Sequence, residues 1–329
     1  MIEANRFIPL LSLHPSQAFE YGELINTPPK SHYREISIKN LKCNKHGSIL
    51  SVSAMKKAKR AVNYLLYIAQ DKTAYNYKSK CTFKFKVNFV TLTLPSRQQH
   101  SDTMITNTLL NQFLVEAKSK WHLNNYVWKA ERQMNGNIHF HILCDCFIPW
   151  MEARNCWNRI CNKLGYVDEY EKINHKRNPN STDIHSVKNV KNVAAYVTKY
   201  MTKSHTSVKY TVNKNTHAQL YPALYTPNSL SNNTKLYLKS CSELGRLWSC
   251  SYSLTHLTGA VIEVDEAIAL ELKRLKALKN THVINKQYFT GIYYKQQLLN
   301  KTSFPLLTKL LDSYIHEKFN DPPSTLIIN

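Results

Sequence analysis

Hydrophobic residues recur at helical spacing in several stretches of the chain. The first stretch begins near Ser53, where apolar positions follow one another at intervals of three or four residues, as on one face of an amphipathic helix. The same spacing occurs over residues 103–120, 150–164 and 187–203. We predict helices in all of these stretches and a further helix over residues 264–278.

Runs rich in β-branched and aromatic residues lie between these stretches and are typical of strands. One run covers residues 84–95, two more at 124–133 and 137–146 flank a turn, and a shorter one lies at 245–254. Residues 170–186 are polar, and we predict a loop there. The order strand, helix, hairpin, helix, helix predicts an α+β core in which helices cover an antiparallel sheet.

The change of pattern along the chain suggests three regions. We predict an N-terminal extension with a basic helix at 1–74, the α+β domain at 75–258 and a C-terminal helical region at 259–329. Both extensions are expected to be mainly helical.

Basic residues outnumber acidic ones by 44 to 22, which gives a formal net charge of +22. Such an excess points to a polyanionic partner, and nucleic acid is favoured over a membrane because no run of about 18 apolar residues occurs. The predicted helix after Ser53 carries four basic residues in its first turns: Lys56, Lys57, Lys59 and Arg60. We predict that they contact DNA phosphates; a solvated helix face is the alternative.

The N-terminal sequence has neither a basic segment nor an uninterrupted apolar segment of the kind that signal peptides contain. The eight cysteines include no CxxC pair and are expected to be reduced thiols. We therefore expect a cytoplasmic protein without a membrane partner. No GxxxxGK[ST] phosphate loop occurs, so a motor that unwinds duplex DNA would be another protein.

Two histidines, His139 and His141, lie two residues apart in a predicted strand and therefore point to one face. Glu131 precedes His139 by eight residues on the preceding strand. A three-residue loop over 134–136, with Gly136 in the left-handed conformation, would place Glu131 directly across from His139.

A two-residue turn at Asn135-Gly136 would instead pair Glu131 with Phe140 and turn the carboxylate to the other face. The three-residue loop gathers two imidazoles and one carboxylate, a set that can hold a divalent metal with positions open for substrate. The alternative is a polar, solvent-facing strand.

Two tyrosines, Tyr196 and Tyr200, lie one turn apart in the predicted helix over 187–203, and each is followed three residues later by a lysine, Lys199 or Lys203. A metal that polarises a phosphodiester oxygen, a tyrosine that attacks phosphorus and a lysine that offsets the developing charge would form one reaction centre. The alternative is an amphipathic helix with tyrosines at its apolar margin.

Three motifs in this order resemble those of the HUH single-strand endonucleases, in particular the rolling-circle replication initiators of small single-stranded DNA phages and plasmids. Residues 89–94 (FVTLTL) resemble the first motif, and residues 136–141 (GNIHFH) with Glu131 resemble the metal motif. Residues 196–203 resemble the tyrosine motif in its two-tyrosine, microvirus-type form, and residues 245–248 weakly resemble a later segment.

The resemblance implies a ferredoxin-like or RRM-like sheet with the histidine strand at its centre. It implies nicking of single-stranded origin DNA, a 5′-phosphotyrosine link, a free 3′-OH that primes the host polymerase, and later rejoining of strands. Mg²⁺ or Mn²⁺ would be the cofactor, a host helicase a further partner and the host bacterial cytoplasm the location. The implied metal ligands and reacting groups are Glu131, His139, His141, Tyr196, Tyr200, Lys199 and Lys203.

Other classes remain open at this point. A relaxase or a single-tyrosine transposase is the nearest alternative, although relaxases usually carry a third histidine and an N-terminal tyrosine. A non-haem iron oxygenase uses the same three ligand types but needs no such positive charge. A non-catalytic DNA-binding regulator of copy number would need the charge but not the tyrosines.

Overall fold

The computed structural model of the protein describes residues 7–24, 50, 52–76, 80–133, 135–187 and 246–320. It has mixed α and β structure, and its larger sheets are antiparallel, so the predicted α+β class is confirmed. Contacts divide the chain into two compact units. The first draws its described residues from 1–44, 60–69 and 250–329, and the second from 45–59 and 70–249. The three-region division predicted from sequence stays a prediction.

The first unit is built on a five-stranded sheet with the order β10-β1-β2-β12-β11. Its strands are β1 (Phe7–His14), β2 (Gln17–Leu24), β10 (Ala260–Glu263), β11 (His282–Asn285) and β12 (Phe289–Tyr293). The longer helices that contribute to this unit are α1 (Val52–Ile68, its second half), α6 (Glu266–Ala277) and α7 (Pro305–Asn320). A short helix α5 (Tyr252–Thr255) and a 3₁₀ turn (Gln296–Leu298) complete the described elements.

The terminal regions therefore contain more strand than the mainly helical extensions that the sequence predicts. The strands of this sheet after residue 250 are only four or five residues long, as in β10 (AVIE) and β11 (HVIN). Such short runs give no periodic signal that separates a strand from a loop.

The second unit is built on another five-stranded sheet, with the order β8-β5-β7-β6-β9. Its strands are β5 (Val87–Thr93), β6 (Tyr126–Arg132), β7 (Ile138–Cys144), β8 (Thr182–Val187) and β9 (Trp248–Cys250). A separate two-stranded ribbon joins β3 (Lys72–Asn76) to β4 (Cys81–Phe85). The strand with both histidines, β7, is the middle strand of the five, as the resemblance implies.

Helices cover one face of this sheet. They are α2 (Asn111–Trp121), α3 (Trp150–Asn162) and α4 (Tyr166–Asn174), and a helical turn (Asp102–Met104) and a π-helical segment (Ile105–Leu110) lead into α2. Large side chains of strand and helix, such as Phe140, Phe113 and Trp157, are fully buried between the two layers. Because strand residues alternate between faces, the positions between these apolar ones turn to the opposite side of the sheet.

One prediction from sequence is wrong in this unit, and a second is confirmed only in part. Residues 170–186, predicted as a loop, include the end of α4 and most of β8, which pairs with β5 along the sheet edge. β8 is a mostly exposed or half-buried edge strand, so its residues carry little of the apolar pattern on which the prediction depended. The run at 245–254 yields only a three-residue strand before the chain turns into α5.

Across the ranges that the structure describes, no helix has the length and apolar character needed to cross a membrane.

Candidate functional site

The β6–β7 hairpin has the register predicted from its loop. Glu131 pairs with His139 across the two strands, and the N–H of Gln133 donates to the carbonyl of Asn137 at 2.9 Å, which leaves three residues in the loop. Gly136 has φ of +87°, the left-handed conformation that this loop requires. The two-residue alternative, in which Glu131 pairs with Phe140, is excluded.

The carboxylate of Glu131 faces both imidazoles. Its Oε2 lies 3.5 Å from Nε2 of His139 and 3.4 Å from Nε2 of His141. One ligand atom from each residue can be chosen so that all lie within 4.8 Å of one another, as in a metal-ligand cluster. Two nitrogen donors and one carboxylate oxygen suit a divalent cation with open positions, so the donor set fits the metal that the sequence predicts.

The electrostatics of the cluster also suit a cation. Burial alone would raise the pKa of Glu131, but hydrogen bonds from His139 and His141 and the charge of Lys129 outweigh it and hold the pKa far below its usual range. Burial lowers the pKa of His141 below 6.5, against the opposing effect of Glu131. The carboxylate is therefore ionised and the His141 imidazole neutral at pH 7, the protonation states in which they bind metals.

The two imidazoles are held differently. The ring of His141 stacks on Phe89 with centroids 5.2 Å apart, and its Nδ1 lies 3.1 Å from Oγ1 of Thr91, the residue opposite it on β5. A partner on Nδ1 fixes the orientation of a ligating imidazole and leaves Nε2 for the metal. Nδ1 of His139 is buried and has no hydrogen-bond partner among the described residues.

Lys129 is a member of the site that the sequence analysis missed. Its Nζ lies 2.7 Å from Oε1 of Glu131, and the side chain is only 4% exposed. The period of two along β6 places it on the face of Glu131, and it pairs with His141 across the strands. The same alternation that located Glu131 could therefore have located Lys129.

A buried polar network supports the hairpin loop. Arg132 forms a buried ion pair with Asp102, and its Nη1 donates to the carbonyl of Gly136 at 2.7 Å. The side chain of Gln98 accepts from the N–H of Ile138 at 2.7 Å, while its backbone N–H donates to Asn137. These contacts fix the strand immediately before His139.

The predicted DNA-binding residues lie on α1. Lys56, Lys57 and Lys59 are exposed side chains on its first turns, and Arg60 is half-buried. Exposure is what phosphate contact requires, but it also fits a solvated helix face, so DNA contact stays a prediction.

The predicted reacting groups of the tyrosine helix, Tyr196, Tyr200, Lys199 and Lys203, lie outside the described residues. Their placement near the cluster of Glu131, His139 and His141 stays a prediction as well.

Comparison with known proteins gives one match. Residues 87–205 match the family model described as Replication-associated protein ORF2, a family of replication initiators. No curated protein and no solved structure matches the chain. The matched segment runs from the start of β5 past Tyr196 and Tyr200, so it contains the whole Glu131, His139 and His141 cluster. A match to replication initiators over this segment indicates a role in the initiation of DNA replication.

Proposed function

We propose that this protein initiates rolling-circle replication by nicking single-stranded DNA at an origin, with a tyrosine as nucleophile and a divalent cation at the β6–β7 hairpin. The observation that carries the proposal is the convergence of Glu131, His139 and His141 on one face of the central hairpin. The match to replication-associated proteins over the same residues supports an initiator rather than a relaxase or transposase.

The three ligand residues would hold the cation through Oε2 of Glu131 and one nitrogen each of His139 and His141. When bound, the cation supplies Lewis-acid polarisation of a non-bridging phosphate oxygen. Imidazole ligands suit Mn²⁺ better than Mg²⁺, although Mg²⁺ is more abundant in cells.

The chemical step is a transesterification. The phenol oxygen of Tyr196 or Tyr200 loses its proton and attacks phosphorus, and the bond from phosphorus to the 3′-oxygen breaks. The leaving 3′-oxygen takes up a proton, so the products are a free 3′-OH and a 5′-phosphotyrosine. Lys199 and Lys203 would lie near their respective tyrosines and offset the charge that develops on the phosphate. Because the bond that forms and the bond that breaks are both phosphate esters, a 3′-OH can attack the phosphotyrosine in the reverse direction and rejoin the strands.

The partners follow from this chemistry. Single-stranded origin DNA would be the substrate, the 3′-OH would prime a host polymerase, and a host helicase would open the duplex. Replication of a phage or plasmid by this route would take place in the cytoplasm of a bacterial host.

The direct test is a covalent adduct with single-stranded DNA from the encoding replicon in the presence of Mn²⁺ or Mg²⁺. We expect the wild-type chain to form the adduct, and His139→Ala and His141→Ala each to reduce it at least about a hundredfold, since loss of a ligand removes the Lewis acid. DNA binding by filter retention should stay within about twofold, because backbone charge dominates it.

The matched control is His122→Asn. His122 is exposed and ends α2 in a left-handed conformation that asparagine also tolerates. It should retain wild-type adduct formation. Undiminished nicking in excess EDTA would rule out the metal, and the absence of any adduct with a wild-type chain that binds the DNA would favour the non-catalytic regulator.

A further inference from the structure

Lys129 is a buried lysine beside the predicted metal ligands. The residue is 3% exposed and lies on the middle of β6, directly across from His141. Lysine is almost never this buried unless its charge is paired, and its Nζ lies 2.7 Å from Oε1 of Glu131. Apolar side chains ordinarily fill buried positions of this kind. The presence of a charged side chain at this one therefore needs a specific explanation.

The two oxygens of Glu131 are divided between different partners. Oε2 faces Nε2 of His139 and of His141, at 3.5 and 3.4 Å. Oε1 is within hydrogen-bond distance of Lys129 on the other side. A carboxylate held in this way can offer one oxygen to a cation placed between the imidazoles, but not both.

We propose that Lys129 is a positioning residue that holds Oε1 of Glu131 and thereby restricts Glu131 to one-oxygen ligation, keeping coordination positions open for the DNA phosphate. This inference depends on the metal assignment in the proposed function. The inference depends on the division of the two oxygens between different partners. The ammonium of Lys129 beside Oε1 prevents the carboxylate from turning both oxygens to the cation.

A merely structural role for Lys129 makes the opposite prediction. If Lys129 only neutralised a buried carboxylate, its loss would leave Glu131 less well held, and metal binding would weaken with the stability of the sheet. If Lys129 restricts ligation, its loss frees a second oxygen and removes a nearby positive charge, and the cation binds more tightly.

The test measures Mn²⁺ bound to the full chain without DNA, by titration calorimetry for affinity and by water-proton relaxation for the number of coordinated waters. With three protein ligands on a six-coordinate ion, the wild-type chain should retain about three waters. In Lys129→Met we expect about two waters, a dissociation constant lower by several-fold, and nicking slower by roughly tenfold or more, as for other residues that support metal ligands.

Two control variants accompany the measurement on Lys129→Met. Lys129→Arg keeps a cationic donor and should keep the wild-type water number, while Lys120→Met removes an exposed lysine that pairs with Glu116 and should change neither quantity. The water number of the wild-type chain tests the inference even if Lys129→Met does not fold, because two-oxygen ligation would leave about two waters rather than three.

The outcomes separate this inference from the proposed function. A wild-type value of about two waters, an unchanged water number in a folded Lys129→Met, or weaker Mn²⁺ binding in that variant would overturn it. Absence of Mn²⁺ binding by the wild-type chain would overturn the metal assignment and this inference together. Normal Mn²⁺ results without any DNA adduct would overturn the proposed nicking alone.

Discussion

His14 is a buried imidazole at the end of β1 whose charge state is set by its surroundings. The residue is 7% exposed, its ring lies near the hydroxyls of Ser12 and Tyr64, and burial together with the charge of Arg60 lowers its pKa from 6.5 to about 4. Between these two values the unfolded chain binds the proton and the folded chain does not, so stability falls as the pH falls.

We predict that this single group costs the first unit about 2 kcal/mol of unfolding free energy when the pH drops from 8 to 5. Urea unfolding at both pH values should show that the loss is smaller by about this amount in His14→Gln, which cannot titrate. Carboxylates titrate in both proteins, so only the difference between them reports on His14. An equal loss in both would contradict the assignment.

At the level of single residues, the ligands could be predicted from sequence because each is tied to a local rule. Glu131 and His139 are linked by a three-residue loop, and His139 and His141 by the period of two. Lys129 obeys the same period but was missed, because a lysine on a strand is ordinarily solvent-exposed and only its burial beside Glu131 makes it part of the site.

At the level of elements, Gly136 sets the register of the hairpin. Its φ is +87°, and a Cβ added there would meet no atom within 4 Å, so any cost of substitution comes from the backbone alone. We predict that Gly136→Ala lowers the free energy of unfolding by about 1 kcal/mol, measured by chemical denaturation.

The matched variant is Gly136→Asn, whose Cβ enters the same open space and whose backbone tolerates the left-handed region. It should cost less than Gly136→Ala. Equal costs would mean that the left-handed backbone is not what limits this position.

If residues 187–203 form the helix that the sequence predicts, its two tyrosines allow a prediction about successive strand transfers. In the proposed mechanism, one attack opens the origin, and a second is needed to release the circle after a full round, when the first tyrosine is already linked to phosphate. A neighbour one turn away on the same face can make that second attack. We expect Tyr196→Phe and Tyr200→Phe each to retain some single cleavage, and the double variant to retain none.

Adduct gels and peptide mapping check this expectation. If one single variant is inactive and the other releases circles normally, only one tyrosine reacts and its neighbour is structural. An adduct on a tyrosine outside 196–200 would remove the proposal.

Elements whose partners are close in sequence were predicted best. The β6–β7 hairpin follows from alternation and turn chemistry within about twenty residues, and α3 begins and ends close to its predicted limits. β8 was missed because its partner β5 lies far away in the chain and its own residues are largely polar. Pairing between distant segments creates such a strand, and local patterning does not record it.

At the level of the whole molecule, a net charge of +22 predicts binding that weakens steeply with salt. Replacing Lys56, Lys57, Lys59 and Arg60 by Ala removes four of these charges. If all four contact phosphates, the slope of log K against log salt for single-stranded DNA should fall by up to about 3. The weakening should be equal for all DNA sequences, as measured by fluorescence anisotropy at several salt concentrations.

A control with the same change of net charge separates local contact from the overall field. It replaces four exposed lysines of the second unit that are not part of α1: Lys118, Lys163, Lys172 and Lys176. If the slope of log K against log salt falls by the same amount in both quadruple variants, α1 is an ordinary solvated face and contributes only through the total charge.

The sheet of the first unit has a consequence for synthesis of the chain. β1 lies between β2 and β10, and β2 also pairs with β12. Each of these two early strands therefore has one neighbour that is synthesised about 250 residues later or more. The strands β5 to β8 of the other sheet are complete before then. On the ribosome, the hairpin with Glu131 and His139 can therefore fold while β1 and β2 are paired only with each other and still lack β10 and β12. A ribosome stalled after residue 250 would carry a folded candidate metal centre together with a β1–β2 hairpin whose two outer edges are unpaired.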